Sequence, residues 1–152
     1  MNYKYNNIYI NLVNLTRNKD LYKCLERNDT FSDRLVFFLL HFAFFLKIFK
    51  NTDKKTLQDI YDHVFKQLEL SIREIGYGDV SINKKMKEYI NFFHKIITKI
   101  EKWSLLSNSE KNEQINSLLN LNNANELSVY FDKYSIELEK NTLNYYTKSV
   151  IK

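Results

Sequence analysis

The sequence predicts an all-α protein, a single-domain helical bundle of about six to seven helices around a central apolar helix. Three observations predict it. The 152 residues include no proline and only two glycines, so little interrupts helix propagation. Apolar residues recur at intervals of three and four along most of the chain, and no segment alternates polar and apolar residues between turn signals as a strand would. One segment, LVFFLLHFAFFLKIF from Leu35 to Phe49, is apolar on nearly every side and needs neighbours all round. The length suits one domain spanning residues 1–152.

Each element has its own justification. A first helix over Asn2 to Thr16 carries Ile8, Leu12 and Leu15 at helical spacing, and a shorter one runs from Asn18 to Leu25 through Leu21 and Tyr22. Thr30, with Asp33 three residues on, is close to a capping box and opens the apolar helix that continues to Phe49. Thr52 or Asp53 caps the fourth helix, whose stripe is Leu57, Ile60, Tyr61, Val64, Leu68, Ile72 and Ile75. Gly76 then falls just past the helix end, where left-handed backbone is nearly free for glycine, and Tyr77 is placed to touch Ile72. Asp79 or Ser81 caps the fifth helix, with Ile82, Met86, Tyr89, Ile90, Phe93, Ile96, Ile97, Ile100 and Trp103 as its core stripe. The fourth and fifth helices therefore make an antiparallel hairpin. Ser109 caps a short helix through Ile115, Leu118 and Leu119, and LNNAN is a connector. A last helix runs from Ala124 to about Tyr146 with Leu127, Tyr130, Phe131, Tyr134 and Leu138 inward.

The totals narrow the function. With 44% hydrophobic and 15% aromatic residues the chain is too apolar to be disordered, and its net charge of +5 is basic. The lone Cys24 can form no internal disulfide and belongs to no zinc-binding spacing, so it reads as a packing residue in a reducing compartment. The N-terminal residues MNYKYNNIYINLVNLTRNKD have neither the apolar run of a secretory signal nor the Arg and Ser richness of a transit peptide. Leu35 to Phe49 is shorter than the roughly 20 apolar residues a bilayer span needs, and His41 and Lys47 interrupt it. A buried core helix is the expectation, the alternative being a helix that lies on a membrane or on a client protein.

No catalytic constellation is evident. The sequence has no Walker-type loop, no dinucleotide fingerprint and no HExxH. His41, His63 and His94 fall on three different helices, and His41 reads as a hydrogen-bonded core residue. No enzyme activity, cofactor or metal is predicted. The fifth helix carries Lys84, Lys85, Lys87, Lys95, Lys99 and Lys102, preceded by Arg73. That face is a plain solvated surface, a docking surface for an acidic protein or lipid headgroups, or an RNA contact. Tyr89, Phe92 and Phe93 fall near the core stripe, so stacking on bases is disfavoured and no sequence-specific nucleic acid is expected. Gly78 is not required by the reversal that Gly76 already makes. It fits either a tight turn or the close approach of a partner's backbone.

The stretch IREIGYGDVSINKKMK, followed by FFHK, resembles the signature of the ubiquinol-cytochrome c chaperone family, in which R-E-x-G-x-G-D leads into a Lys-rich helix. YKCLERNDTFSDRLVFFLLHFAFFLK resembles the family's segment of a short Tyr-containing helix, D-T, an Arg and an apolar helix with Leu-His. The likeness extends over about Ile8 to Leu138. It implies a non-enzymatic assembly factor for the cytochrome bc1 complex that binds newly made cytochrome b or another subunit of that complex near the membrane. A small helical partner protein is implied as well. Arg73, Glu74, Gly76, Gly78, Asp79, Lys84 and Lys87 fall on the family's motif, and His41 on its Leu-His, which makes these the candidate client- or partner-binding residues. Asn83 stands where a glycine is expected, and Phe93, His94 and Lys95 replace Tyr, Gly and Arg. The chain is similar to the shorter bacterial members, which places it in the bacterial cytoplasm, peripheral at the inner membrane. The competing reading is a generic basic helical protein that binds the ribosome or an anionic membrane surface through charge.

Overall fold

A helix with no polar face is stable only when other elements cover it on every side. The computed structural model, which describes residues 3–25 and 30–150, shows how this chain does so. After a 3₁₀ turn at Tyr3–Tyr5, the described residues form α1 (Asn6–Thr16), α2 (Asp20–Lys23), α3 (Phe31–Ile48), α4 (Lys54–Glu74), α5 (Asp79–Ile100), α6 (Asn108–Leu119), α7 (Asn125–Glu139) and α8 (Leu143–Lys148). No strand occurs among them. The expected start of the first helix at Asn2 lies outside the described residues.

Helix α3 is the hub, packed against α1, α5, α6 and α7. Its phenylalanine rings reach several of the surrounding helices. Phe38 meets Tyr9 of α1 at 5.8 Å, Phe42 stacks on Phe93 of α5 at 5.2 Å, Phe44 stacks on Phe131 of α7 at 5.1 Å, and Phe45 meets Tyr146 of α8 at 6.0 Å. Ring pairs of this kind add about 0.5–1.5 kcal/mol each beyond the area they bury. Phe37, Leu39, Leu40, Phe42 and Phe44 are completely enclosed. No helix among the described residues is long and apolar enough to cross a membrane.

The predicted capping box is present: Thr30 Oγ1 accepts from Asp33 N at 3.2 Å, and Thr30 N donates to the Asp33 carboxylate at 3.1 Å. Asp53, rather than Thr52, caps α4. Other boundaries differ from expectation. The second helix is shorter than Asn18–Leu25, covering Asp20–Lys23. Ser107, not Ser109, caps α6, because Glu110 at its third position returns the capping bond to Ser107 N at 3.0 Å. The last helix is not continuous from Ala124 to Tyr146. It stops at Glu139, and Thr142 caps a separate α8 by accepting from Tyr145 N at 3.2 Å. Tyr146 Oη ties α8 back to the end of α7 by donating to the Glu137 carbonyl at 3.1 Å, which also accepts from Lys140 N at 3.2 Å.

His41 is wholly buried, as its expected core role requires. Its Nδ1 lies 2.6 Å from the Phe37 carbonyl, which can only accept, so Nδ1 carries the proton and Nε2 accepts from Tyr130 Oη at 2.6 Å. The imidazole thus ties α3 to α7 in its neutral form. Burial drives its pKa down from 6.5 to about 4, against a smaller opposite pull from the Phe37 carbonyl.

Because the unfolded chain takes up this proton before the folded one does, the contribution is complete above about 6.5 and is lost as pH falls through about 4. The difference amounts to about 3 kcal/mol. A His41→Gln variant is expected to be less stable than wild type at neutral pH, with the gap shrinking by about 2–3 kcal/mol at pH near 4.5 in urea unfolding. A gap that does not change with pH contradicts a neutral buried imidazole.

Candidate functional site

The candidate residues gather at the corner between α4 and α5. The two helices are antiparallel, and their rings meet well back from the corner, Phe65 on Phe93 at 5.2 Å and Tyr61 on Phe93 at 6.0 Å. The tip beyond them projects past the core. Gly76 has φ 109°, a backbone that side-chain-bearing residues rarely adopt, and its N–H donates to Arg73 O at 3.0 Å in the manner of a helix-ending glycine. Gly78 is different. Its φ of −76° suits any residue and a side chain there would meet nothing within 4 Å, so neither strain nor crowding inside the chain calls for glycine.

Gly78 is itself the N-cap of α5, in place of the expected Asp79 or Ser81. Asp79 occupies the first helical position because Arg73, six residues back, takes its carboxylate in a short ion pair. Arg73 also reaches Glu69 at 3.6 Å, and Glu69 holds Lys66 at 3.2 Å. The Asp79 hydrogen bond, offset in part by desolvation, pushes the guanidinium pKa still higher. Lys84 and Lys85 fall in the second turn of α5, outside the reach of the helix dipole. Glu74, Lys84 and Lys87 are exposed. His41 is brought nowhere near this corner and is enclosed by α7, out of a client's reach in this state.

Sequence reasoning missed the apolar part of the corner. Ile75, expected on the core stripe, is 60% exposed, and Val80 is 85% exposed. Tyr77 stands at the surface with Lys85 Nζ 4.7 Å above its ring. The charges around this triad balance, Arg73, Lys84, Lys85 and Lys87 against Glu69, Glu74, Asp79 and Glu88. The corner is therefore an apolar tip inside a mixed-charge rim and not a cationic field. The periodicity that put Ile75 inward holds only where a facing helix exists. The available signal for Val80 was an isolated apolar residue in a polar run.

Elsewhere, Cys24 packs between α2 and α7, with its thiol 3.0 Å from Glu126 and its pKa raised to about 11 by burial first and then by that carboxylate. His63 Nε2 lies 2.7 Å from Asn6 Oδ1, and the exposed His94 lies 3.3 Å from Tyr61 Oη. Among the described residues no three His, Cys, Asp or Glu side chains are placed to hold a metal ion.

A family model described as Ubiquinol-cytochrome C chaperone matches residues 24–121, more than half of the chain. The chain belongs to the ubiquinol-cytochrome C chaperone family. The matched span carries α3 to α6 of this chaperone family member and the entire corner, while α1, α2, α7 and α8 lie outside it. Membership gives it a chaperone or assembly role, non-enzymatic, with a client in the context of the bc1 complex. No curated protein and no solved structure matches it.

The two glycines separate cleanly by substitution. Gly76→Ala is expected to cost about 1–2 kcal/mol, because its positive φ penalises a Cβ. Gly78→Ala should change stability by no more than about 0.5 kcal/mol. Asp79→Ala, breaking an exposed pair, should cost about 0–1 kcal/mol. Chemical denaturation of the three variants checks the order, and equal losses at Gly76 and Gly78 would contradict the geometry.

Proposed function

We propose that the protein holds newly made cytochrome b, or another subunit of the bc1 complex, before assembly, and that the α4–α5 corner is where it does so. The observation that carries this reading is the exposed triad Ile75, Tyr77 and Val80 on a stiff hairpin tip inside the family-matched span. Small apolar surfaces on projecting tips bury area only when another molecule covers them. The rim residues Arg73, Glu74, Lys84 and Lys87 supply mixed charge around the triad, which favours register over raw affinity. Gly78 leaves its backbone open, so a client strand or helix can approach closely. In this reading the protein works in the bacterial cytoplasm at the inner leaflet, where the lysine excess toward and just past the end of α5, Lys95, Lys99 and Lys102 against Glu101, faces anionic headgroups worth about 1 kcal/mol per cation.

Crosslinking in the native cell followed by affinity purification tests it. Cytochrome b or a neighbouring subunit should come down with the wild-type chain, and Val80→Asp should reduce that yield about tenfold with unchanged melting, since Val80 contributes no core contact. Deletion of the protein should lower assembled bc1 complex while general translation continues. Normal assembled complex in the deletion strain removes the proposal.

A further inference from the structure

The molecule also has a concave feature, formed by helices other than those of the corner. Helices α1 and α7 both lie along α3 but are splayed from each other, leaving a trough of about 640 Å³. That volume is in the range of small-molecule sites. The two walls run antiparallel, since Tyr9 of α1 lies on Phe38, while α7 passes from Tyr130 on His41 to Leu138 beside the Tyr146–Phe45 pair. Leu12, Phe45 and Leu138 make its floor apolar.

Tertiary contacts hold the elements on either side of the trough. At one, the Cys24 thiol and Glu126 carboxylate, 3.0 Å apart, bring α2 to the start of α7. At the other, α8 is strapped to α1 by Asn7 Nδ2 to Thr147 O at 3.1 Å and Asn11 Nδ2 to Ser149 O at 2.9 Å. A volume of about 640 Å³ suits a finite ligand better than a protein segment.

Charge indicates its chemistry. The trough is lined by one cation, Lys133, and one carboxylate, Glu137. Glu137 is neutralised by Lys140 at 2.7 Å, whereas Lys133 forms no ion pair among the described residues. Lys133 stands in the half of the trough shared by Tyr130 on α7 and Asn18 in the connection after α1. Asn18 Oδ1 accepts from Asp20 N at 3.1 Å, which leaves the amide N–H groups of Asn18 as donors. The polar end therefore offers donors and a positive charge, and the rest offers apolar wall. Between Tyr130 and Leu138 of α7, eight residues at 1.5 Å rise give roughly 12 Å of trough.

We infer that this trough binds a single-chain carboxylate amphiphile, a medium-chain fatty acid, with its carboxylate on Lys133 and Asn18 and its chain over Leu12, Phe45 and Leu138. The inference does not rest on the client-binding corner, which lies on other helices.

Calorimetric titration of the full chain with straight-chain carboxylates below their micelle concentrations tests it, with decanol as the uncharged counterpart of decanoate. The expected result is one saturable site whose affinity rises about fourfold per methylene from hexanoate to decanoate and then levels off. Lys133→Gln should weaken decanoate about tenfold and leave decanol unchanged, whereas Lys95→Gln on α5 should change neither. Non-saturating heat, indifference to chain length, an equal effect of Lys95→Gln, or unchanged decanoate affinity in Lys133→Gln overturns the inference. So does saturable binding of an amphipathic peptide where decanoate fails to bind.

Discussion

Everything in this fold follows from the burial of α3. Its rings point in all directions, so no arrangement that leaves one side open is stable, and each flanking helix is placed by the phenylalanine it must cover. Burying a side chain of that size contributes about 1.5–3 kcal/mol, which makes α3 the main source of cohesion. The single polar side chain at its centre, His41, fixes the register of α7, because only one alignment lets Tyr130 reach Nε2 while Phe37 keeps Nδ1. Apolar contacts alone tolerate sliding, and a buried donor and acceptor do not.

The corner and the trough are both consequences of that hub. Helices α4 and α5 are held to the core through Val64, Leu68, Phe93 and Ile96, all well behind the turn. Past Ile72 and Ile82 there is no neighbour to cover anything, which is why Ile75 and Val80 end up in water. On the other side, α1 and α7 each pack on α3, and α8 joins them through Asn7, Asn11 and Glu137 while the trough stays open between them. One surface is a convex apolar tip within the family-matched span. The other is a concave apolar site with both walls outside it.

Features fixed by local chemistry were legible in the sequence. The all-round apolarity of Leu35 to Phe49, the Thr30–Asp33 box and the glycine that ends α4 each depend on residues within a few positions, and each is present. Features fixed by competition at a distance were not. Asp79 has the chemistry of a cap, but Arg73 across the turn binds the same carboxylate and leaves capping to Gly78. The S-x-x-E pattern at Ser107 and Glu110 was readable and lost only to the nearby Ser109. The break after Glu139 depends on a tyrosine hydroxyl reaching back to a carbonyl, which no periodicity records. The candidate charges around the glycines were identified, but the apolar triad among them was not, because exposure depends on where the neighbouring helices stop.

The size of the triad limits the kind of hold it can exert. Burying Ile75, Tyr77 and Val80 against a client contributes about 1.5–3 kcal/mol apiece at full coverage, and the part already buried is not gained again. Association costs an estimated 4–15 kcal/mol before any surplus appears. The tip alone therefore gives at most weak, rapidly reversible binding. For an enzyme inhibitor that would be inadequate, but an assembly factor has to let go when the next subunit arrives. In the proposed reading the rim acts in the same direction: cations and acids mixed around the tip would orient an incoming chain without adding the buried, unreleased charge pairs that slow dissociation. An apolar tip, a mixed-charge collar and an open glycine backbone make a surface suited to brief, repeated contact with a polypeptide that is bound elsewhere in the end.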